Sequence, residues 1–345
     1  MSPSSFSSLP NDIVSDILAR VPKRFHPTLS CVSKTFRRLL LSPELHKIRS
    51  LLRKDSLFIS FANKPNDAAW FTLRRAENNP TENRFVSIDL VFPSQREKDP
   101  SIVSIGSELF FICGSFYPSS TMYVLDSRTG KFRKGPSSRA DKLYRSVGVV
   151  GSKVYVVGSY RDDEIHVEAF DVRTQTWELA PFPEDQRSWW GLAATVSLNR
   201  KVCTLRYFDN VAKCYDTRDG SCESFGLPKG DWLGRTGACV MNNVLYVYYA
   251  RFGLMWFDSE LEMWRVVDGL TRLKKVWSVV AMAEYYGKMA LLWEDKVGGE
   301  RKDVWCRMVS LERSEEGVQG IAEASQLLGS VPRGYRLQHC LSVSD

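Results

Sequence analysis

The residues of this sequence with the chemistry for metal binding or nucleophilic catalysis are eight cysteines and four histidines. The cysteines are scattered, and no two have the C-x-x-C spacing of a zinc site or a redox motif. Only His166 and His339 follow residue 54, and two histidines are too few for a copper site. We therefore expect no metal and no cofactor, and we expect the cysteines to be free thiols in a reducing compartment.

The short motifs of common active sites are missing as well. The sequence contains no G-x-S-x-G elbow, no P-loop and no cysteine–histidine pair at a recognisable spacing. We therefore predict that the protein is not an enzyme. Its chemistry is expected to be recognition, carried by tryptophan, tyrosine and arginine, the residue types enriched at binding hot spots.

The net charge of +7 lies in one short segment. Residues 1–54 hold ten Lys and Arg against three Asp and Glu, and the remaining 291 residues are balanced. A nucleic-acid partner is therefore not expected. No stretch of about 18 residues is apolar throughout, as a membrane-spanning helix would require. The first residues, "MSPSSFSSLP", do not have the pattern of a secretory signal. We expect no membrane partner and a cytoplasmic and/or nuclear location.

A strand–turn–strand pattern recurs along the larger part of the chain. It is centred on an aspartate that follows a large apolar residue, and successive aspartates are 45, 45 and 42 residues apart. The aspartates are Asp126, Asp171, Asp216 and Asp258. Six residues after them come Phe132, Trp177, Cys222 and Trp264. Because an aspartate carboxylate can accept from the backbone amide two residues on, each copy predicts a tight turn.

Each copy also has an apolar strand upstream, such as "GSKVYVVGSY", which gives four strands per repeat. A fifth copy starts at "YGKMALLWED", and a weaker sixth lies at the front, at "DSLFISF". One small sheet cannot bury both faces alone, and radial stacking of such sheets is a β-propeller. The pattern resembles the kelch repeat over residues 55–343, which implies an all-β kelch-type propeller of six blades.

The closure of the ring is predicted from a missing strand. The front copy begins at the second-strand position, whereas the C-terminal "GYRLQHCLSVSD" resembles a first strand without a blade of its own. We infer that residues 335–343 complete the N-terminal blade. This pairing would also protect an open sheet edge.

The N-terminal segment follows a different, helical period. Its apolar residues recur three and four positions apart, and "SPEL" is a helix start with Ser42 as the N-cap. Three short helices in about 44 residues make a poor core alone, so a partner surface is expected. The stretch "LPNDIVSDILARVP…CVSKTFRRLLLSPEL" resembles an F-box. The predicted division is therefore a flexible N-terminus at 1–8, a three-helix F-box at 9–54 and the propeller at 55–345.

The resemblance implies partners as well as a fold. An F-box docks on a Skp-family adaptor, which is held by a cullin and a RING subunit, and the propeller would capture a protein target for ubiquitination. An alternative left open is a kelch scaffold or regulator that acts outside the cullin complex. The expected adaptor contacts are Leu9, Pro10, Asp12, Ile13, Ile17, Leu18, Val21, Pro22, Cys31, Val32 and Phe36.

A second set of residues is predicted to bind the target, whose identity the sequence leaves unknown. These are aromatic residues and arginines that lie outside the repeat pattern, near the start of first strands, and have no obvious packing role. They are Tyr144, Arg145, Trp189, Trp190, Arg235 and Trp277. The aromatic residues would anchor the target, and the arginines would meet its acidic or carbonyl groups.

Overall fold

A computed structural model describes residues 9–21, 25–42, 44–45, 48, 55–64, 67–75, 83–93, 100–114, 118–159, 165–183, 194–229, 237–270, 280–295 and 299–344. Within these ranges the helices are α1 (Asn11–Arg20), α2 (His26–Val32) and α3 (Lys34–Leu40). All the strands follow the helices in the chain, and they form six sheets.

The strands are grouped by blade in chain order. Blade 1 contains β1 (Asp55–Lys64), β2 (Asp67–Arg75) and β3 (Asn83–Ile88), and blade 2 contains β4 (Ser101–Ile105), β5 (Glu108–Ile112), β6 (Met122–Asp126) and β7 (Lys131–Lys134). Blade 3 contains β8 (Leu143–Val150), β9 (Lys153–Ser159), β10 (Ile165–Asp171) and β11 (Thr176–Ala180). Blade 4 contains β12 (Ala194–Leu198), β13 (Lys201–Arg206), β14 (Val211–Asp216) and β15 (Cys222–Gly226). Blade 5 contains β16 (Ala238–Met241), β17 (Val244–Tyr249), β18 (Gly253–Asp258) and β19 (Met263–Val266). Blade 6 contains β20 (Val280–Tyr285), β21 (Lys288–Asp295), β22 (Arg301–Arg313), β23 (Val318–Ala322) and β24 (Gln326–Pro332), and β25 (Arg336–Ser344) follows it.

Every blade is an antiparallel sheet whose strands run from the inside of the ring outward. In blade 1 the innermost strand is β25, which pairs with β1. Each innermost strand contacts the innermost strands of the two neighbouring blades, in the cyclic order β25, β4, β8, β12, β16 and β20. The described strands therefore form a closed six-bladed propeller, and the predicted role of residues 335–343 is confirmed.

The closing strand is also bonded to the next blade. The Ser104 hydroxyl on β4 donates to the carbonyl oxygen of Ser342 at 2.7 Å. The amide of Ser344 donates to the carbonyl oxygen of Gly106 at 3.0 Å. Since β25 pairs with β1 on its other side, the two chain ends of the propeller are joined within one sheet that is itself bonded to blade 2.

Among the described residues, the hydrophobic core of the propeller is divided into six parts, one between each pair of neighbouring blades. Phe110 of blade 2 and Phe170 of blade 3, for example, are both fully buried in the same cluster. The cluster between blades 6 and 1 combines Leu292 with Leu57 and Leu337. Because each blade buries its two faces against different neighbours, no blade has a complete core alone.

The recurring aspartates form the turns that the sequence predicts. The amides of Arg128, Arg173 and Arg218 each donate to the aspartate two residues earlier, at 2.8 to 2.9 Å. In the four copies the fourth residue after the aspartate has a positive φ of 50° to 80°. Glycine occupies this position in blades 2 and 4, whereas Gln175 and Glu262 adopt the same conformation in blades 3 and 5.

The repeat aromatic residues connect neighbouring blades. Trp177 Nε1 donates to the carbonyl oxygen of Pro136, and Trp264 Nε1 to that of Gly226, both at 2.8 Å. Gly226 ends the outer strand of the preceding blade, and Pro136 lies two residues beyond the end of such a strand. Blade 4 has Cys222 in place of tryptophan, and there the hydroxyl of the paired Tyr215 donates to the carbonyl oxygen of Pro181 at 2.8 Å.

Blade 6 departs from the four-strand pattern. Its third strand, β22, has 13 residues. The second half of β22 pairs with β23, and the first half pairs with the additional strand β24. Two successive strands thus cover the outer edge of β22, each along one half, before the chain returns to the centre as β25.

One expectation about the cysteines is wrong. The register of β13 and β14 places Cys203 directly opposite Cys214, with Cα atoms 4.0 Å apart, and the two form a disulfide. They are 11 residues apart in the sequence. That spacing gives no sign of the pairing, because the pairing follows from the register of a hairpin and not from a cysteine motif.

The hydroxyl of Tyr215 gives a direct test of the inter-blade hydrogen bonds. We expect Tyr215→Phe to lower the free energy of unfolding by about 1 kcal/mol, because the carbonyl of Pro181 loses its donor. Urea denaturation measures the change. Tyr123→Phe is the control, since its hydroxyl has no hydrogen-bond partner among the described residues. Equal stability losses in the two variants would show that the bond to Pro181 contributes nothing.

Candidate protein-binding surfaces

The N-terminal helices bury part of their apolar surface against one another. Val14 and Leu18 of α1 pack with Leu40 of α3 and with Leu45, and the exposed fractions of the four side chains are 0% to 7%. Helices of seven to ten residues are marginal alone. This small core is therefore what holds them in place.

Two serines begin helical turns in this segment. The hydroxyl of Ser33 accepts from the amide of Phe36 at 3.0 Å, at the start of α3. The hydroxyl of Ser42 accepts from the amide of Leu45 at 3.2 Å. The second bond is the N-cap that the "SPEL" sequence predicts, and it confirms that prediction.

The predicted adaptor contacts divide by burial. Leu18 is 1% exposed and belongs to the core of the helices, which corrects its assignment as an adaptor contact. The exposed residues of the set are Leu9, Pro10, Asp12, Ile13, Cys31 and Val32. The half-buried residues are Ile17, Val21 and Phe36. Pro22 lies outside the described residues.

Several large apolar side chains of this segment face solvent. Leu9 is 39% exposed, Ile13 is 47% exposed and Val32 is 65% exposed. Phe25 and Leu41, which the helical periodicity does not single out, are 44% and 72% exposed. We call these five residues the F-box apolar face. So many exposed apolar side chains on so short a segment indicate a surface that is covered by a partner.

The predicted target contacts fall mostly on parts of the chain for which no geometry is described. Trp189, Trp190, Arg235 and Trp277 lie outside the described residues. Tyr144 lies in β8, but its side chain is not described. The structure therefore does not bring this set together, and the set remains a prediction.

Arg145 is the member of the set whose side chain is described. It is 4% exposed, and its guanidinium donates to the carbonyl oxygens of Ile112 and Cys113 in blade 2. A Cβ atom on Gly114 would lie 2.5 Å from both Arg145 Nη1 and the backbone carbonyl oxygen of Lys142, and φ at this position is +112°, so glycine is needed there. Arg145 therefore has a packing role, contrary to the prediction, because its guanidinium joins blade 3 to blade 2.

A buried ion pair next to Arg145 has no counterpart in the sequence analysis. Lys142 and Glu168 bond to each other, and each side chain is only 3% exposed. Glu168 also accepts from the amide of Arg139 at 2.9 Å. Burial lowers the pKa of Lys142, and the hydrogen bond with Glu168 opposes that effect. Nothing in the sequence marks the pair, since lysine and glutamate are the residues least often fully buried.

Two further features are absent from the part of the chain that the structure describes. Among its residues no group of three or more His, Cys, Asp or Glu side chains is placed to hold a metal ion. None of the helices described is both long enough and apolar enough to cross a membrane.

Comparison with known proteins assigns both parts of the chain. Residues 6–48 match the F-box domain, and residues 70–327 match the FKB95 kelch-repeats domain. Two F-box/kelch-repeat proteins of Arabidopsis thaliana are 51% and 48% identical to this chain. The first alignment covers 98% of this chain and 92% of the relative, and the second covers 100% and 95%. The chain belongs to the F-box/kelch-repeat family.

Membership in the F-box/kelch-repeat family supports a general role as a substrate adaptor. An F-box implies a Skp-family adaptor as a partner in general, and the F-box apolar face provides a surface of suitable chemistry. The family names also suggest an adaptor rather than a catalytic protein. The kelch repeats and the six blades agree with the fold that the sequence predicts.

The Lys142–Glu168 pair can be tested for its effect on stability. Lys142→Met is expected to lower the free energy of unfolding by about 3 to 5 kcal/mol, because it leaves a buried carboxylate without a cation. The double variant Lys142→Met/Glu168→Leu should recover most of the loss. Urea denaturation measures both variants.

The control for this test breaks an exposed ion pair of the same residue types. In the pair of Lys153 with Glu178, the side chains are 29% and 55% exposed. Lys153→Met should change stability by less than about 1 kcal/mol. If Lys142→Met cost no more than Lys153→Met, the buried pair would not contribute to the stability of blade 3.

Proposed function

We propose that this protein is the substrate-recognition subunit of an SCF-type cullin-RING ubiquitin ligase. Its F-box docks on a Skp-family adaptor, which a cullin and a RING subunit hold, and its propeller captures a protein target. The observation that carries the proposal is the F-box apolar face, where Leu9, Ile13, Phe25, Val32 and Leu41 are 39% to 72% exposed. The family match and the names of the relatives support it.

The proposed mechanism is positional and requires no catalytic residue in this chain. A target held by the propeller is tethered near the ubiquitin-conjugating enzyme that the RING subunit recruits. Tethering raises the effective concentration of the target lysines, and values in the millimolar range are typical of short connections. This mechanism requires a rigid ring, because separation of the blades would change the position of the bound target relative to the F-box.

The target-binding part of the proposal rests on composition. Trp189, Trp190, Arg235 and Trp277 lie in the connections between the outer strand of one blade and the inner strand of the next. Tryptophan and arginine are enriched at hot spots. We retain these four residues, with Tyr144, as the predicted target contacts.

We place the protein in the cytoplasm and/or the nucleus.

Adaptor docking is tested by charging the F-box apolar face. We expect Ile13→Asp and Val32→Lys each to weaken binding of the full-length protein to a purified Skp-family adaptor by about tenfold or more, because a charge would be buried without a partner in an apolar interface. The added charges suit the helix dipoles, since Ile13 is near the start of α1 and Val32 ends α2. Isothermal titration calorimetry measures the affinities.

The control is Val86→Asp, which charges a residue that is 49% exposed on β3 of the propeller. It should leave adaptor binding unchanged, and the three variants should unfold at the temperature of the unaltered protein. The proposed docking surface is wrong if the two F-box variants bind as tightly as Val86→Asp. An unaltered protein that does not bind any Skp-family adaptor would favour the alternative of a kelch scaffold outside the cullin complex.

A further inference from the structure

A cleft lies between blades 5 and 6, at the end of the propeller that carries the turns between third and fourth strands. Its volume is about 440 Å³, and its walls include Trp256, Asp258, Glu260, Arg265, Arg313 and Glu315. Cavities of this size are typical of sites that bind small molecules or parts of a peptide.

The wall from blade 5 is fixed by its own contacts. Arg265 on β19 lies directly opposite Trp256 on β18, with its guanidinium carbon 5.2 Å from the centroid of the indole ring. Arg265 Nη1 is 3.3 Å from a carboxylate oxygen of Asp258, and Nη2 donates to the carbonyl oxygen of Glu316. The Asp258 carboxylate also accepts from the amides of Glu260 and Leu261. The charges of Arg265 and Asp258 are therefore engaged with each other.

The wall from blade 6 presents an arginine that is much less engaged. Arg313 ends β22, and its guanidinium carbon is 5.5 Å from the same indole centroid. Its ion pair with Glu260 has an N–O separation of 3.6 Å, and the two side chains are 45% and 83% exposed. A pair this open contributes about 0 to 1 kcal/mol. Arg313 therefore presents nearly its full set of donors to the cleft.

Trp256 adds a buried donor without an acceptor. The residue is 2% exposed, and its Nε1 makes no hydrogen bond to any described part of the protein. The tryptophans of the repeat, Trp177 and Trp264, each donate to a carbonyl oxygen of the preceding blade. A buried donor left without an acceptor costs about 1 to 3 kcal/mol. Trp256 lines the cleft and lies under the guanidinium of Arg313, so a ligand that moves Arg313 can bring an acceptor to this donor.

We propose that this cleft binds a carboxylate side chain of a protein partner. The carboxylate pairs with Arg313 in place of Glu260, and an oxygen of the bound segment accepts from the indole N–H of Trp256. A guanidinium fits a carboxylate through two parallel hydrogen bonds. Glu260 marks the position, because a carboxylate of this chain already lies there in a weak, exposed pair.

The surrounding charges favour a carboxylate over a phosphate group. Asp258, Glu260 and Glu315 lie in or around the cleft, and they repel a group with nearly two negative charges more strongly than a group with one. Met263 lies on the same face of β19 as Arg265 and is 50% exposed, so an apolar residue beside the acidic one would also be accommodated. This site does not depend on adaptor docking, since no F-box residue takes part in it.

The indole resonance of Trp256 reports binding directly. The full-length protein is labelled with ¹⁵N-tryptophan, and the resonance is assigned from its loss in Trp256→Phe. The probes are acetylated, amidated Gly-Glu-Gly and Gly-Gln-Gly, and acetylated Gly-Gly-Gly with a free terminal carboxylate. We expect the Glu peptide to shift the Trp256 resonance in a saturable manner. The Gln peptide should leave it in place.

Three variants separate the proposed site from general attraction. Arg313→Gln should weaken binding of the Glu peptide about tenfold, because the charged hydrogen bonds are lost. Glu260→Gln should strengthen it, because the competing carboxylate of the chain is removed. Arg218→Gln, at the equivalent turn of blade 4, is the control and should have no effect. Unchanged thermal unfolding of the three variants confirms that their folds are intact.

Three results would overturn the proposal. The first is an equal shift from the Gln peptide, which would show that the carboxylate is not recognised. The second is unchanged affinity in Arg313→Gln. The third is that the peptide with the free terminal carboxylate binds and the Glu peptide does not. That result would show that the cleft recognises chain termini rather than acidic side chains.

Discussion

The antiparallel pairing of β25 with β1 is the interaction on which the rest of the propeller depends. It supplies the inner strand that the first blade lacks and joins the two ends of a 290-residue stretch of chain. Without it, blade 1 would expose its inner edge, and the clusters that contain Leu337 and Val343 would lose one side. Because every inter-blade core has residues from two blades, the loss of one boundary affects the packing at the next.

The links between blades follow one scheme with local substitutions. Where the repeat provides a tryptophan, its indole N–H donates to the outer strand of the preceding blade, and in blade 4 the hydroxyl of Tyr215 takes over this bond. Blades 2 and 3 are joined additionally by Arg145, and the buried pair of Lys142 with Glu168 fixes the connection between them to β10 of blade 3. Between blades 5 and 6 the same boundary is open at one end, and there a buried donor lacks an acceptor. A cleft at this boundary suits a protein whose propeller holds one partner while another part of the chain docks elsewhere.

Much of the fold could be predicted because it repeats. The blades could be predicted from the regular spacing of the turn aspartates, Asp126, Asp171, Asp216 and Asp258. The closing strand could be predicted because the front copy of the repeat lacks its first strand. Features that depend on strand register or on the packing within a blade could not be predicted. The disulfide of Cys203 with Cys214 follows from a hairpin register, and Glu168 meets Lys142 only once blade 3 has formed. The helical stripe of the F-box located its core and part of its exposed face, but Phe25 and Leu41 lie outside the stripe. An arginine near the start of an inner strand, just after the connection between two blades, suggests an exposed binding residue. Arg145 was predicted to bind the target for that reason, whereas it is buried.

Ring closure makes the opening of β25 equivalent to the opening of the whole propeller, and native-state hydrogen exchange measures this directly. The amides of β25 that pair with β1 should exchange with the same free energy as those of β17, which lies at the centre of blade 5 on the other side of blade 6. Both sets should also respond equally to small additions of denaturant. If the β25 amides exchanged with a much lower free energy, and without dependence on denaturant, the strand would open locally. In that case closure by β25 would not be the interaction that holds the ring together.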